Sequence, residues 1–181
     1  MVLLSRWRVN LGFAIGVTAI AVCGNPTRES VITWLPLALG GLMLRLWARG
    51  HLELRKGLAE TGPFALVRHP LYVGSFFLGL AFTLMMNDAI VSVVYVIGFL
   101  AMYVPKAIRE EAYLRERHGE VYARYAARVG AIVPRFWDVY RPDATTRFAW
   151  RRVLRHREWE TWLGAAAACT VMWVRALWFS R

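Results

Sequence analysis

The sequence predicts an all-α, polytopic membrane protein with about five transmembrane helices and a cytoplasmic amphipathic helical segment. Hydrophobic residues make up 57% of its 181 residues, and nine of the residues are Trp. Long runs of the chain carry no charged side chain, which a soluble domain of this length does not need. Most Lys and Arg residues fall between alternate runs, as in a chain that crosses a bilayer repeatedly. We therefore expect residues 1–181 to form a single integral membrane domain.

Each candidate span is an apolar run bounded by charged or turn-forming residues. At 1.5 Å per residue, about 17 to 20 residues reach roughly 25 to 30 Å, the thickness of the hydrocarbon core. The first run is shorter than this, and we expect its helix to extend beyond the uncharged part. The predicted spans are Val9–Cys23, Val31–Ala48, Leu71–Asn87, Ala89–Pro105 and Thr161–Ser180.

The distribution of positive charge predicts the orientation in the membrane. If the N-terminus is cytoplasmic, all of the 23 Lys and Arg residues fall on the cytoplasmic side except Arg28, Arg175 and Arg181. The net charge of +11 is then a topology signal, and binding of nucleic acid loses its support. We predict a protein of the bacterial inner membrane whose active site faces the cytoplasm, where long connections provide polar chain.

Cysteine and histidine usage indicates neither a disulfide nor a metal site. Cys23 and Cys169 both lie in apolar runs, where they behave as small hydrophobic residues. The four histidines show no metal-ligand spacing along the chain, and they are His51, His69, His118 and His156. We therefore expect no bound metal.

A cytoplasmic amphipathic helix is predicted over Lys106–Val129. Tyr122, Tyr125 and Val129 follow one another at helical spacing, and charged residues occupy the other face. Gly119 lies near the middle and is the candidate for a break in this helix. Such a helix lies at the membrane surface or packs on the ends of the spans.

The stretch GPFALVRHPLYVG comes directly before the third span and contains more than an anchor needs. Pro70 suits the first helical position and His69 the N-cap, which leaves backbone N–H groups free at the helix start. These groups attract anions, and Arg68 with His69 would strengthen the attraction. Tyr72 offers a flat face and a hydroxyl, and Gly74 lets a ligand or a backbone approach closely. The alternative is interfacial anchoring, with Gly74 packed on a neighbouring helix.

The adjacent carboxylates of Glu110 and Glu111 form a second candidate group. Neighbouring residues of a helix point about 100° apart, so the two cannot share one task. One of them could bind a cation or hydroxyls of a ligand while the other orients a nearby Arg. The alternative is plain salt bridging at four-residue spacing, Glu110 with Lys106 and Glu111 with Arg115.

Taken together, these motifs resemble those of the isoprenylcysteine carboxyl methyltransferase and phospholipid methyltransferase superfamily. The family pattern is an Arg-His-Pro-x-Tyr-x-Gly motif opening a helical hairpin, a Glu-Glu pair, a Gly, and a Tyr-x-x-Tyr-x-x-Arg-Val segment ending near a Pro. The resemblance covers about residues 62–134, the expected methyltransferase core. The matching residues are Arg68, His69, Pro70, Tyr72, Gly74, Glu110, Glu111, Gly119, Tyr122, Tyr125, Arg128, Val129 and Pro134.

The resemblance implies a site for S-adenosylmethionine between the hairpin and the cytoplasmic helix. Its carboxylate would be held by the Arg-His pair, its ammonium or ribose by one of the two glutamates, and its adenine or sulfonium by tyrosine rings. The cofactor-binding residues expected on this basis are Arg68, His69, Tyr72, Gly74, Glu110 and Tyr122.

Two catalytic residues are expected, and their roles depend on the acceptor. Arg128 would hold a carboxylate acceptor, which needs no base, whereas Glu111 would help to remove a proton from an amine acceptor. The pattern favours carboxyl O-methylation of a lipophilic acceptor delivered from the bilayer. One alternative is N-methylation of phosphatidylethanolamine, and another is a non-catalytic, lipid-binding membrane scaffold.

The final span departs from the family pattern, because the shared core has no counterpart for residues 161–180. This extra helix could shape or cover the acceptor site. Gly164 and the Ala165–Ala168 run also form a small-residue stripe of the kind through which membrane helices associate, so we expect a homodimer as one arrangement.

Overall fold

The computed structural model describes residues 24–52, 57–135 and 146–179, and the regular elements in these ranges are all helical. The all-α class is thus confirmed for the described part of the chain. The first predicted span, Val9–Cys23, lies outside it. In chain order the elements are α1 (Arg28–His51), a 3₁₀ helix (Gly62–Ala65), α2 (Pro70–Met85), α3 (Ala89–Arg128), α4 (Trp150–Arg155) and α5 (Glu158–Phe179).

Each of the other four predicted spans corresponds to a helix or to part of one. Among the described residues, α1 and α3 are long and apolar enough to cross a bilayer, and α2 is apolar but has 16 residues. These apolar helices support membrane association. The number of spans and the orientation stay predictions.

Local start signals set the first residues of the helices. Thr27 and Ser30 form a capping box at the start of α1, each side chain accepting a hydrogen bond from the other's backbone N–H. Asp88 caps α3 by accepting from the N–H groups of Ile90 and Val91, the second and third residues of the helix. His69 and Pro70 occupy the N-cap and the first helical position of α2, as the sequence predicts.

The fourth predicted span and the amphipathic helix are continuous in α3, which corrects the separation expected at Pro105. The helix runs through Pro105, although proline lacks the N–H that would bond to the preceding turn. The expected break at Gly119 is present, with φ 50° and ψ −125°, a conformation open mainly to glycine. Residues after Gly119 therefore leave the axis of the long apolar part of α3.

Two glycines bring the backbones of α1 and α2 into direct contact. A Cβ atom on Gly74 would lie 2.8 Å from the Gly41 carbonyl oxygen and 2.7 Å from Arg45 Cγ. A Cβ atom on Gly41 would lie 2.7 Å from the Gly74 carbonyl oxygen. Gly74 thus serves helix packing, the alternative that the sequence leaves open, and its expected place in the cofactor site stays a prediction.

The C-terminal helix α5 packs on α1 and α2 and carries a buried charge. Glu158 is 1% exposed and pairs with Arg45 and Arg49 of α1 at 2.7 Å and 3.2 Å. Along α5, Ala165 and Ala168 are buried within the chain. Part of the small-residue stripe therefore packs intramolecularly, and the homodimer stays a prediction.

Candidate functional site

Backbone pairing joins the two motifs, which are far apart in sequence. Val67 and Gly130 form an isolated parallel bridge, so the segment after α3 runs beside the segment before α2. The Arg68 N–H donates to the Gly130 carbonyl at 2.8 Å, and the His69 N–H donates to the Ala131 carbonyl at 3.0 Å. The entrance to α2 and the end of α3 therefore form one unit.

The Arg68 guanidinium ties this unit to the middle of α3. Its Nε and Nη2 donate to Glu111 Oε1 at 2.9 Å and 2.7 Å. Its Nη1 donates to the carbonyls of Ala126 and Val129 at 3.1 Å and 2.6 Å. These carbonyls belong to the last turn of α3, where no helical N–H follows to bond them. Arg68 is thus bonded within the protein, and its expected use on a ligand carboxylate stays a prediction.

His69 is buried beside the same carboxylate. Its Nε2 lies 3.0 Å from Glu111 Oε1, and its ring stacks on the Tyr72 ring at 5.3 Å between centroids. The backbone donors expected to be free at the start of α2 are largely absent. The His69 N–H bonds to Ala131, Pro70 has no N–H, and the Tyr72 N–H bonds to the His69 carbonyl. The helix start therefore offers an anion little.

Glu111 accepts all three of these side-chain hydrogen bonds through one oxygen. Burial raises the pKa of Glu111, but hydrogen bonds and charge from Arg68 and His69 outweigh burial and leave this pKa below its ordinary value. A carboxylate with a lowered pKa is a poor proton acceptor near neutral pH. The pairing also replaces the bond to Arg115 that sequence spacing offered as an alternative.

Glu110 points elsewhere and bonds to a residue of α2. The Tyr72 hydroxyl donates to Glu110 Oε2 at 2.6 Å. The Tyr72 ring meets the edge of Tyr103 at 5.2 Å, and Lys106 Nζ lies 5.1 Å from the centroid of the Tyr72 ring. The two adjacent glutamates thus hold different partners, as their 100° separation requires.

Two cavities meet at these residues. The first, which we call the polar cavity, has a volume of about 160 Å³ and includes Arg68, His69, Glu110, His118 and Tyr122 in its wall. The second, the apolar cavity, has a volume of about 730 Å³ and lies between α2 and α3. Its wall includes Arg68, His69, Tyr72, Phe76, Phe99, Tyr103 and Glu111. Arg68 and His69 belong to both walls.

Tyr122 of the polar cavity has a buried hydroxyl without a hydrogen-bond partner among the described residues. Its side chain is 1% exposed. Burial and the charge of Glu111 raise the pKa of Tyr122, while the nearby cations Arg68 and Arg115 oppose the rise. A buried hydroxyl without a partner destabilises the protein, so a ligand that forms a hydrogen bond with it would bind more tightly.

Arg128 lines neither cavity, and its expected contact with an acceptor stays a prediction. It is exposed, whereas Tyr122, Tyr125 and Val129 form the buried face of the last turns of α3. Arg128 is the last residue of α3, directly before the C-cap Val129.

Several wall residues were not singled out by the sequence, although a signal for some of them exists. Phe99, Tyr103, Ala107 and Glu111 all line the apolar cavity and follow one another at four-residue spacing. They therefore form one stripe of α3, which can be found by stepping back from the Glu-Glu pair. Arg117 and His118, which line the polar cavity beside the break at Gly119, carry no such signal.

Comparison with known proteins finds a matching family and curated relatives. The phospholipid methyltransferase family (PEMT) matches residues 36–121, which contain α2 and most of α3. The Delta(14)-sterol reductase LBR of Gallus gallus is 36% identical over 41% of this chain and 12% of its own length. The chain belongs to the isoprenylcysteine carboxyl methyltransferase and phospholipid methyltransferase superfamily. The superfamily is one of membrane methyltransferases, and no solved structure matches the chain.

Two of the curated relatives that match this chain are named as metal-resistance proteins. The nickel-cobalt-cadmium resistance protein NccN of Alcaligenes xylosoxydans xylosoxydans is 33% identical over 77% of this chain and 67% of its own length. The cobalt-zinc-cadmium resistance protein CzcN of Cupriavidus metallidurans is 34% identical over 77% of this chain and 66% of its own length. The chain thus spans about two thirds of each relative. In the described ranges, no three His, Cys, Asp or Glu side chains are grouped to hold a metal ion.

Proposed function

We propose that this membrane protein moves a methyl group from S-adenosylmethionine to a lipophilic acceptor drawn from the bilayer. One observation carries the proposal: a polar cavity with charged and aromatic walls meets a large apolar cavity across Arg68 and His69. Methyl transfer between a polar donor and an apolar acceptor requires this kind of contact between two sites. The family match supports the same reaction class.

The polar cavity suits the donor by its chemistry. Glu110 is available to the donor's ammonium or ribose, Arg117 and His118 to its carboxylate, and the Tyr122 hydroxyl to a polar atom of the adenosine. When bound, S-adenosylmethionine supplies an electrophilic methyl group. The residues of the wall bind and orient it and exclude water.

Size adds a condition to this proposal. A volume of about 160 Å³ falls below the range of roughly 300 to 1,000 Å³ for ligand sites. The walls must therefore separate when the donor enters. Gly119, with φ 50°, lies between Leu114 and Tyr122, which line the cavity from the two arms of α3. The backbone can bend there without the strain that a side chain would add.

The apolar cavity suits the tail of the acceptor. Its volume of about 730 Å³ lies within the range for ligand sites, and its wall is almost wholly apolar. Leu66, Ile108, Ile132 and Val133 belong to this wall and are also exposed at the surface. In a membrane such side chains contact lipid, so an acceptor can enter from the bilayer without passing through water.

Two acceptor chemistries compete within this proposal. Carboxyl O-methylation, the outcome favoured by the sequence pattern, requires a cation that holds the acceptor carboxylate. Of the basic side chains that line the apolar cavity, Arg68 and His69 contact Glu111, and Arg128 lines neither cavity. N-methylation of phosphatidylethanolamine requires a proton acceptor instead, and carboxylates stand at the contact between the cavities.

Two alternatives keep the fold but not the reaction. A lipid-binding scaffold would bind no S-adenosylmethionine. The other alternative is a reductase, because one relative is named as a sterol reductase and its match covers 41% of this chain. A reductase would bind a nicotinamide donor in the polar cavity and would not bind S-adenosylmethionine.

A binding and transfer experiment separates these functions. Protein in lipid nanodiscs is titrated with S-adenosylmethionine and with NADPH by calorimetry, and then incubated with methyl-labelled donor and lipid extract. We expect saturable binding of S-adenosylmethionine and label in the lipid fraction. Base treatment distinguishes the products, because methyl esters release volatile label and N-methyl groups do not. Absence of both binding and transfer would overturn the proposal.

A variant connects the expected binding to the polar cavity. Tyr122→Phe removes a buried hydroxyl that we expect the donor to satisfy, so its affinity should fall about 3- to 10-fold. Glu116→Gln is the control, because Glu116 is exposed on α3 and lines neither cavity. Equal affinity for Tyr122→Phe and wild type would place the donor elsewhere.

A further inference from the structure

We propose that Tyr72 and Glu110 form a proton relay, and that the acceptor carries a proton on its reacting atom. The acceptor class is then an amine, hydroxyl or thiol on an apolar tail, and a carboxylate is excluded. The inference rests on the proposed methyl transfer. It adds to the expected cofactor contacts of Tyr72 and Glu110 a second task, namely removal of the acceptor proton.

The relay follows from a hydrogen bond that crosses the boundary between the two cavities. The Tyr72 side chain lines the apolar cavity, and Glu110 lines the polar cavity. The Tyr72 hydroxyl donates to Glu110 Oε2 at 2.6 Å, a short distance typical of a phenol bonded to a carboxylate. Glu110 is also exposed to solvent. A proton taken from the apolar side therefore has a path to water.

The neighbouring carboxylate is unsuited to the same task. Glu111 accepts from Arg68 and His69 through Oε1, at distances between 2.7 Å and 3.0 Å. Protonation of Glu111 would break an ion pair that holds α2 to α3. Glu110 has no cation within 4 Å among the described residues, so it can take up a proton without breaking such a pair.

The Tyr72 ring is held in position from several sides. It stacks on His69 at 5.3 Å with an interplanar angle of 9°, and it meets the edge of Tyr103 at 5.2 Å. Lys106 Nζ lies 5.1 Å from its centroid. These contacts fix the direction of the hydroxyl, as general base catalysis requires of the group that receives the proton.

The charges at the contact favour a protic acceptor over an anionic one. Two carboxylates, Glu110 and Glu111, stand there, and Arg68 and His69 of the shared wall already contact Glu111. A carboxylate acceptor would enter beside these two like charges. A neutral or protonated amine, a hydroxyl or a thiol meets no such repulsion.

The step balances as follows. The reacting atom gives its proton to the Tyr72 oxygen while the Tyr72 phenolic proton passes to Glu110 Oε2. The same atom uses the freed electron pair to bond the methyl carbon, and the bond between that carbon and the donor sulfur breaks with its electrons on sulfur. Glu110 then returns its proton to water, and the next reaction finds the relay in its original state.

The test compares pH–rate profiles at saturating S-adenosylmethionine in nanodiscs, with phosphatidylethanolamine as the protic probe. Tyr72→Phe keeps the ring contacts and removes the relay, so we expect its kcat to fall about 100-fold at pH 7. The deficit should shrink as pH rises, because the amine then loses its proton to the solvent. The KM for S-adenosylmethionine should change by less than about 3-fold. Glu110→Gln should show the same pH-dependent deficit.

Two comparisons keep the result specific. Glu116→Gln removes a carboxylate of α3 that lines neither cavity, so its pH profile should keep the wild-type shape. A prenylated cysteine with a free carboxylate tests the acceptor class, and we expect less methylation of it than of the amine. Faster transfer to the carboxylate, or a Tyr72→Phe profile like that of wild type, would overturn the relay and leave methyl transfer standing. A wild-type protein that binds no S-adenosylmethionine would overturn the proposed function and the relay with it.

Discussion

Arg68 and Glu111 form an ion pair across 43 positions of sequence, with Arg68 Nη2 2.7 Å from Glu111 Oε1. The same guanidinium bonds to two carbonyls at the end of α3. The pair therefore holds together the start of α2, the middle of α3 and the end of α3. Since His69 beside it lines both cavities, the pair also fixes the wall through which donor and acceptor would meet.

Replacement of Arg68 tests this structural role. We expect Arg68→Ala to lower the free energy of unfolding by about 2 to 4 kcal/mol, because it leaves the Glu111 charge and two carbonyls without their donor. Thermal unfolding in detergent measures the effect. Arg124→Ala, an exposed change on the same helix, should alter stability by less than about 0.5 kcal/mol. Equal stability of the two variants would contradict this structural role of Arg68.

The lowered pKa of Glu111 predicts a loss of stability in acid. A group whose folded-state pKa is depressed stabilises the fold above its unfolded-state pKa, near 4.3 for Glu, and this stabilisation is lost as pH falls through the lower folded value. We expect the Tm of the wild type to hold near neutral pH and to fall below about pH 4.5. Glu111→Gln should start from a lower Tm and lose less of it on acidification. A parallel decline in both proteins would argue against the assignment.

The contact between α1 and α2 predicts opposite effects for neighbouring glycines. Gly41→Ala places a Cβ atom 2.7 Å from the Gly74 carbonyl oxygen, and backbone cannot move aside cheaply, so we expect a loss of about 1 to 3 kcal/mol. Gly40→Ala meets no atom within 4 Å and should be neutral or stabilise α1 by up to about 1 kcal/mol. Thermal unfolding of both variants checks the pair, and a stable Gly41→Ala protein would disprove the close packing.

The buried charge of Glu158 predicts that α5 is held by its ion pairs. Glu158→Gln leaves Arg45 and Arg49 without their carboxylate, and we expect a loss of about 3 kcal/mol. Glu160→Gln is the matched control two residues away, because Glu160 is exposed and its partner Arg157 is exposed too. Limited proteolysis after residue 145, together with thermal unfolding, measures the release of α5. Similar resistance in both variants would assign the attachment of α5 to apolar packing.

Much of the fold follows from local sequence signals. Apolar runs located the helices to within a few residues, and the Pro70 and Gly119 signals placed a helix start and a break where the structure has them. The helix end expected at Pro105 is wrong. Proline locally disfavours a helix interior, but α3 continues through Pro105. Apolar content and start signals act over a single turn, so they can be read from sequence.

The candidate site was predicted in its members more than in their roles. The sequence selected Arg68, His69 and Glu111, and the structure brings these together. The sequence does not show that Arg68 bonds within the protein, because its carbonyl partners lie 58 and 61 residues further along the chain. The motif assigns Arg128 to the site as well, but this residue is exposed and lines neither cavity, so its role stays a prediction.

The sequence by itself determined an all-helical chain, its superfamily and the set of polar residues at the entrance to α2, because hydropathy, capping and motif spacing are local properties. Only the tertiary structure decided which of those residues bond to one another and which face a cavity. The physical reason is that a carboxylate or hydroxyl takes its role from the partner it meets. That partner is fixed by how helices distant in sequence pack.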